Sequence, residues 1–138
     1  LFRSNLKDGE EVYFLHRVRY ANDEAIAVEY AHINATYCPG LEMFNFENFS
    51  LYDVFYEHYK LNLSWAKDDI RADMIRGEDA QILLNTKSGP ALIVYNTAFD
   101  VNNIPIEYTK TIYNYKMFTY TVVSTETSKK YKDKKQNT

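Results

Sequence analysis

Residues Glu11 to Tyr20 alternate strictly, with Val12, Phe14, His16, Val18 and Tyr20 on one side and Tyr13, Leu15, Arg17 and Arg19 on the other. A period of two predicts a half-buried strand. Asn22-Asp23-Glu24 supplies turn residues, and Ala25 to Asn34 continues as a second strand, so the pair reads as a hairpin. Ala35 to Phe49 breaks the pattern with Pro39-Gly40 and several aromatics. Ser50 then opens a helix running to about Tyr59, with Asp53 three residues on as a relative of the capping box and Phe49 and Val54 placed as a hydrophobic staple. Leu61 to Ile75 alternates as a long strand, and Glu78 to Leu84 is a short helix. Pro90 to Phe99 and Pro105 to Tyr115, rich in β-branched and aromatic residues, flank Val101-Asn102-Asn103-Ile104 as a second hairpin. Phe118 to Ser124 reads as a last strand, and Leu1 to Leu6 as the end of a helix stopped by Lys7-Asp8-Gly9. These elements predict an α+β domain, a mostly antiparallel sheet of five to six strands with flanking helices.

Composition narrows the class. At 138 residues the chain is one domain, and 46 % apolar with 16 % aromatic residues is enough to build a core. The net charge of −3 hides an asymmetry, because Ser128 to Thr138 carries five Lys and one Asp. The remainder holds 11 basic and 18 acidic residues, a net of −7. Such a body repels a phosphate backbone, which places any nucleic-acid contact outside these residues. The longest apolar run, Ala91 to Tyr95, is five residues, against about 20 for a membrane span. Cys38 is the single cysteine, and neither a CxxC nor an HExxH arrangement occurs. The expectation is a reducing, cytoplasmic setting with no structural metal and no cofactor. His16, His32 and His58 fall in separate segments and read as packed or surface residues. A start at Leu rather than Met suggests an excerpt of something longer.

The candidate chemistry sits on the two hairpins. Arg17 and Arg19, two apart on a strand, emerge from one face about 7 Å apart. Two guanidinium forks so placed suit a phosphate or carboxylate, or else form ordinary ion pairs with Glu11 or Glu29. The register decides whether Glu29 joins them, since opposed residues share a face. A two-residue loop, Asn22-Asp23, pairs Arg17 with Val28 and turns Glu29 away. A three-residue loop ending at Glu24 pairs Arg17 with Glu29 and Arg19 with Ala27. The second is the expectation, because it seats a small residue beside the arginines. Glu29 then either meets ligand hydroxyls or serves Arg17 as a counter-ion. Ser50 is a helix cap or a ligand contact at a helix start, and Tyr52 lines the same cavity or belongs to the core. Glu107, Thr109, Thr111 and Tyr113 form a polar stripe inside an apolar hairpin, the mark of a wet cavity.

The order of short motifs resembles the UTRA domain, the effector-binding half of GntR-type regulators of the HutC subfamily, whose fold is shared with chorismate lyase. They are Arg17-Val18-Arg19, Glu29, Pro39-Gly40-Leu41, Ser50-Leu51-Tyr52, Glu78-Asp79-Ala80 to Leu83-Leu84, and Gly89-Pro90-Ala91-Leu92. Ala98-Phe99-Asp100, Pro105-Ile106-Glu107-Tyr108 and Thr111-Ile112-Tyr113 complete them, and the resemblance runs from Leu6 to about Thr121. Tyr30 stands where members commonly carry Arg, and Asn114-Tyr115-Lys116-Met117 departs from a Gly-Asp-Arg-Tyr-like segment.

The resemblance implies a UTRA-like unit over residues 1–125 and a basic polar tail over 126–138, with the family's first strand and its DNA-binding winged helix-turn-helix outside this sequence. It implies a pocket made by Arg17, Arg19, Glu29, Ser50, Tyr52 and Glu107, with Tyr113 added on the same strand. The implied protein is a non-catalytic, homodimeric sensor of a phosphorylated sugar or amino sugar, acting allosterically on DNA through a separate N-terminal domain, without membrane contact. The alternatives are a chorismate lyase-like enzyme acting on a small carboxylic acid, and a dimerisation module with a vestigial pocket.

Overall fold

The computed structural model describes residues 9–126. The predicted helix at Leu1 to Leu6 and the Lys-rich segment from Ser128 onward lie outside these residues. Within them are five strands: β1 (Val12–Ala21), β2 (Glu24–Asn34), β3 (Leu63–Arg76), β4 (Ser88–Asp100) and β5 (Pro105–Asn114). All adjacent pairs are antiparallel, in the order β1-β2-β5-β4-β3, so β5 is the central strand. Two helices accompany them, α1 (Leu51–Glu57) and α2 (Gly77–Leu84). The α+β architecture expected from the alternation is the one observed, with five strands.

The first hairpin reaches the expected pairing by a different route. Its loop is the two-residue Asn22-Asp23, both at positive φ (50° and 63°), the conformation that suits a tight hairpin turn. The register shifts between Arg19 and Tyr20, where Ala25 and Ala27 are the successive partners and Ile26 is the extra residue of a bulge. That one-residue shift restores Arg19 opposite Ala27 and Arg17 opposite Glu29. The expected three-residue loop is therefore wrong, while the pairing it was meant to deliver is right.

Phe118 to Ser124 is irregular rather than a strand. Asn114 turns the chain beyond β5, its side-chain oxygen accepting from the Lys116 N–H and its carbonyl from the Met117 N–H. Phe118 then stacks on Tyr113 with ring centroids 3.8 Å apart, which carries the segment over the sheet face instead of along a strand edge. At the other helix start, Ser50 occupies the cap position but its side chain makes no capping hydrogen bond. Its carbonyl accepts from Val54 N–H.

Each sheet face has its own core. On one, α2 packs over Val28, Ile75, Ala91, Ile93 and Ile112. It is pinned there by the Tyr30 hydroxyl, which donates to Asp79 at 2.5 Å, and closed by Asn85 in the left-handed conformation. On the other face, α1 and the turn at Leu41–Met43 cover Ala31, Ile33, Cys38 and Ile106 with Leu51, Val54 and Phe55. This cover reaches only one end of that face, and the polar stripe of β5 runs outward from it, starting at Glu107 opposite Ile33. Phe55 is 1 % exposed, so Phe55→Ala is expected to cost about 3 to 5 kcal/mol of stability. Urea denaturation followed by circular dichroism measures this, and a loss well under 1 kcal/mol would show that α1 is not anchored through this ring.

Candidate functional site

The bulge sets Glu29, only 4 % exposed, between the two arginines of β1. Arg17 Nη2 donates to Glu29 Oε1 at 2.6 Å, and Arg19 Nη2 lies 2.8 Å from Oε2. Each carboxylate oxygen thus has its own guanidinium. The arginines differ in setting, since Arg17 is largely buried and Arg19 more than half exposed. The buried Arg17 Nε–H has no acceptor among the described residues.

One strand inward, Glu29 faces Thr111, Ala31 faces Thr109 and Ile33 faces Glu107. The β5 stripe therefore lies on the same face as the arginines. Glu107 is 3 % exposed, and Thr109 and Thr111 are buried beside it. Glu107 Oε1 accepts from the Thr109 hydroxyl at 2.8 Å, while Oε2 has no hydrogen-bond partner among the described residues. Burial is the main cause that pushes the Glu107 carboxyl above the ordinary carboxylate range, and neighbouring Glu29 adds to the push. The hydroxyls of Thr109 and Tyr52 and the charge of Arg17 act against it. Burial and the charge of Glu107 likewise raise the Tyr52 phenol. Burial foremost, then Glu107, lifts the Cys38 thiol to about 12.

These groups surround a cavity of about 250 Å³. Of the residues singled out in the sequence, Arg19, Glu29, Tyr52, Glu107 and Tyr113 line it. Arg17 does not reach it directly. It lines a neighbouring groove of about 690 Å³ between β1 and residues 44–47, and meets the cavity only through Glu29. Ser50 is exposed and lines neither. The cavity has further walls that the sequence pattern did not single out: Asp68 and Asn96, joined by a hydrogen bond of 2.7 Å from Asn96 Nδ2, and the rings of Phe118 and Tyr120. Parity along β4 carried a signal for Asn96, which opposes Thr109. Nothing local marks Phe118 and Tyr120, which arrive through the turn at Asn114.

Chemically the cavity presents more negative than positive groups, with Asp68, Glu29 and Glu107 against Arg19. Donors on a ligand would find Glu107 Oε2, and an acceptor would find the remaining guanidinium N–H groups. Among the described residues, no group of three or more His, Cys, Asp or Glu is placed to hold a metal ion. The cavity has the size and the hydrogen-bonding groups to accept a small polar molecule, the character of a ligand-binding domain.

The family follows from comparison. The UTRA domain model matches residues 3–119, and the chain belongs to that family. The chain is 28 % identical over 109 residues to the HTH-type transcriptional repressor NagR of Bacillus subtilis (strain 168), a match covering 79 % of this chain and 44 % of NagR. It thus spans under half the length of that relative. In fold it is similar to the effector domain of PhnF from Mycobacterium smegmatis, with a TM-score of 0.77 and 21 % identity over 83 % of this chain and 70 % of that one. The C-terminal domain of YurK from Bacillus subtilis is comparable, with a TM-score of 0.76 and 22 % identity over 82 % and 78 % of the two chains. A ligand-binding domain from Bordetella bronchiseptica assigned to the GntR family has a TM-score of 0.80 at 21 % identity, over 87 % and 78 %. NagR is described as a transcriptional repressor, the matched part of PhnF as its effector domain, and the Bordetella domain as ligand-binding, which supports an effector-binding role for this domain.

Two outcomes test the site's electrostatics. The folded state holds the Glu107 proton more tightly than the unfolded chain, so stability falls as pH rises from the ordinary carboxylate value through the raised one. Glu107→Gln lacks that proton. Its urea midpoint should match the wild type at about pH 4 and exceed it increasingly toward about pH 8; a constant offset would contradict the buried carboxyl. Cys38, fully buried, should resist an aromatic disulfide reagent in the native protein and react stoichiometrically in denaturant. Rapid native labelling would place the thiol at the surface.

Proposed function

We propose that this domain binds a phosphorylated sugar or amino sugar and, as a homodimer, passes the bound state to a DNA-binding domain elsewhere in the same full-length chain. The observation that carries the ligand class is the Glu107 Oε2 acceptor, buried and without a partner among the described residues, in a cavity that Arg19 also lines. A buried polar group left unpaired costs about 1 to 3 kcal/mol, so a ligand that donates to this oxygen gains from it. An anionic group suits Arg19, which has N–H groups beyond the one spent on Glu29. Hydroxyls or an amine suit Glu107 and Asp68. The length by which NagR exceeds this chain, and its description as an HTH-type repressor, support a DNA-binding segment in the whole protein.

In this reading the domain is a sensor and not an enzyme, and it works in the cytoplasm. No histidine lines the cavity, and Cys38, with its high thiol pKa, is a poor nucleophile. Regulation then rests on differential affinity, the effector favouring one arrangement of the dimer over another.

Isothermal titration with a panel of hexose phosphates, amino sugar phosphates and simple carboxylates tests the proposal. Arg19→Ala should weaken binding by about 1.5 to 3 kcal/mol, the worth of a charged hydrogen bond, while Arg17→Ala should act indirectly, by leaving one oxygen of the buried Glu29 without its guanidinium. Glu107→Gln should weaken a polyhydroxylated ligand by roughly tenfold, the worth of one charged hydrogen bond. Wild-type affinity in the folded arginine variants would remove the anion site. Turnover of any ligand would favour the enzyme alternative.

A further inference from the structure

The two ends of the cavity differ in how their charges are met. Register sets Asp68 opposite Asn96, Asn96 opposite Thr109 and Thr109 opposite Ala31, so Asp68 of β3 shares the face of Glu29 and the β5 stripe. Arg19 and Asp68 therefore enter the cavity from the two edge strands, four strand spacings or about 19 Å apart across the backbone. At the β1 end the charges close on themselves, since both oxygens of Glu29 are met by arginines. At the β3 end they stay open. Asp68 has no cation within ion-pair distance among the described residues, and its neighbour in sequence, Lys67, lies on the other face and pairs with Asp69. The Asn96 amide that donates to Asp68 Oδ1 at 2.7 Å supplies a hydrogen bond but no charge. Glu107, 3 % exposed, adds its unpartnered Oε2 to the same cavity. The charges of Glu107 and Asp68 both act on the Tyr52 phenol, which sets the two acids around one space.

We infer that Asp68 is a specificity-determining residue, selecting an effector that carries a free, protonated amine at the β3 end over its hydroxyl and N-acylated counterparts. The inference rests on the effector reading above and decides between the sugar and the amino sugar that it leaves open. An ammonium brings three N–H donors and a positive charge. It can serve Asp68 and the Glu107 oxygen together, and it balances an end of the cavity that has no cation of its own. A hydroxyl brings one donor and no charge. An N-acyl group keeps one N–H, removes the charge and sets a carbonyl oxygen against carboxylates. The attraction between full charges is screened less in a partly enclosed cavity than at the open surface. The resulting polarity, guanidinium at one end and acids at the other, matches a molecule with its anion and its amine apart.

Isothermal titration of the whole chain with glucose 6-phosphate, glucosamine 6-phosphate and the N-acetyl derivative of the latter tests it. The wild type should bind the amine roughly tenfold more tightly than either of the others, the difference between a charged and a neutral hydrogen bond. Asp68→Asn keeps the size and an acceptor oxygen but drops the charge. It should bring the amine and hydroxyl forms within about threefold of each other by weakening the amine alone, with glucose 6-phosphate binding as in the wild type. Asp68→Ala gives the same comparison should the amide variant fail to fold, and the wild-type ratio needs no variant at all. If none of the three ligands binds, the phosphosugar reading falls and this inference with it. If they bind but the wild type takes the hydroxyl or N-acetyl form as tightly as the amine, or the preference survives in a folded Asp68 variant, the effector reading stands and the role of Asp68 is overturned.

Discussion

The carboxylate of Glu29 is the constraint around which the domain is organised. A buried acid is tolerated only when its charge is met, and here each oxygen meets a different arginine of the neighbouring strand. That arrangement requires Glu29 to oppose Arg17 and Arg19 to sit two residues away on the same face. The two-residue turn alone would not give it. The Ile26 bulge does, so a single extra residue near the hairpin end decides whether the charged groups point toward the cavity or away from it.

The placement of β5 at the centre of the sheet gives that ion-pair cluster its second half. A central strand is expected to be apolar on both faces, yet β5 presents Glu107, Thr109 and Thr111, all buried, on the face it shares with Glu29. The other face of the same strand offers Ile112 to the α2 core. One strand thus serves a polar cavity on one side and a hydrophobic core on the other, and α1 closes the apolar end of the cavity side while Tyr52 reaches the cavity wall. Glu107 carries the cost of this design in its raised pKa, because a neutral carboxyl is easier to bury than a carboxylate.

Much of this was legible in the sequence because period-two alternation assigns residues to faces through local geometry, with no need of tertiary contacts. The alternation of residues 11–20 put both arginines on one side, and the polar stripe from Glu107 to Tyr113 announced a cavity inside an otherwise apolar hairpin. The less legible parts have physical reasons. A bulge leaves no local signature, so the right pairing was reached through the wrong loop. Ser50 has the residue type of a cap and a ligand contact, but its side chain makes no capping bond and is not among the residues lining the cavity. The segment after Asn114 has strand-like composition, yet the Phe118 ring finds Tyr113 across the face and the chain follows it. Asp68 became a wall residue only through the pairing of β3 with β4, a long-range fact.

The central claim is that Arg19 and Glu107 receive one ligand. Its most direct measurement is the side-chain Nε–H resonance of Arg19 in a ¹⁵N-labelled sample titrated with an amino sugar phosphate. The account predicts a saturable shift of that signal together with backbone amides around Glu29 and Glu107–Thr111, with Ile93 and Ala80 on the opposite face unmoved. Saturable binding that leaves Arg19 Nε–H in place, or that moves the α2 face instead, would contradict it.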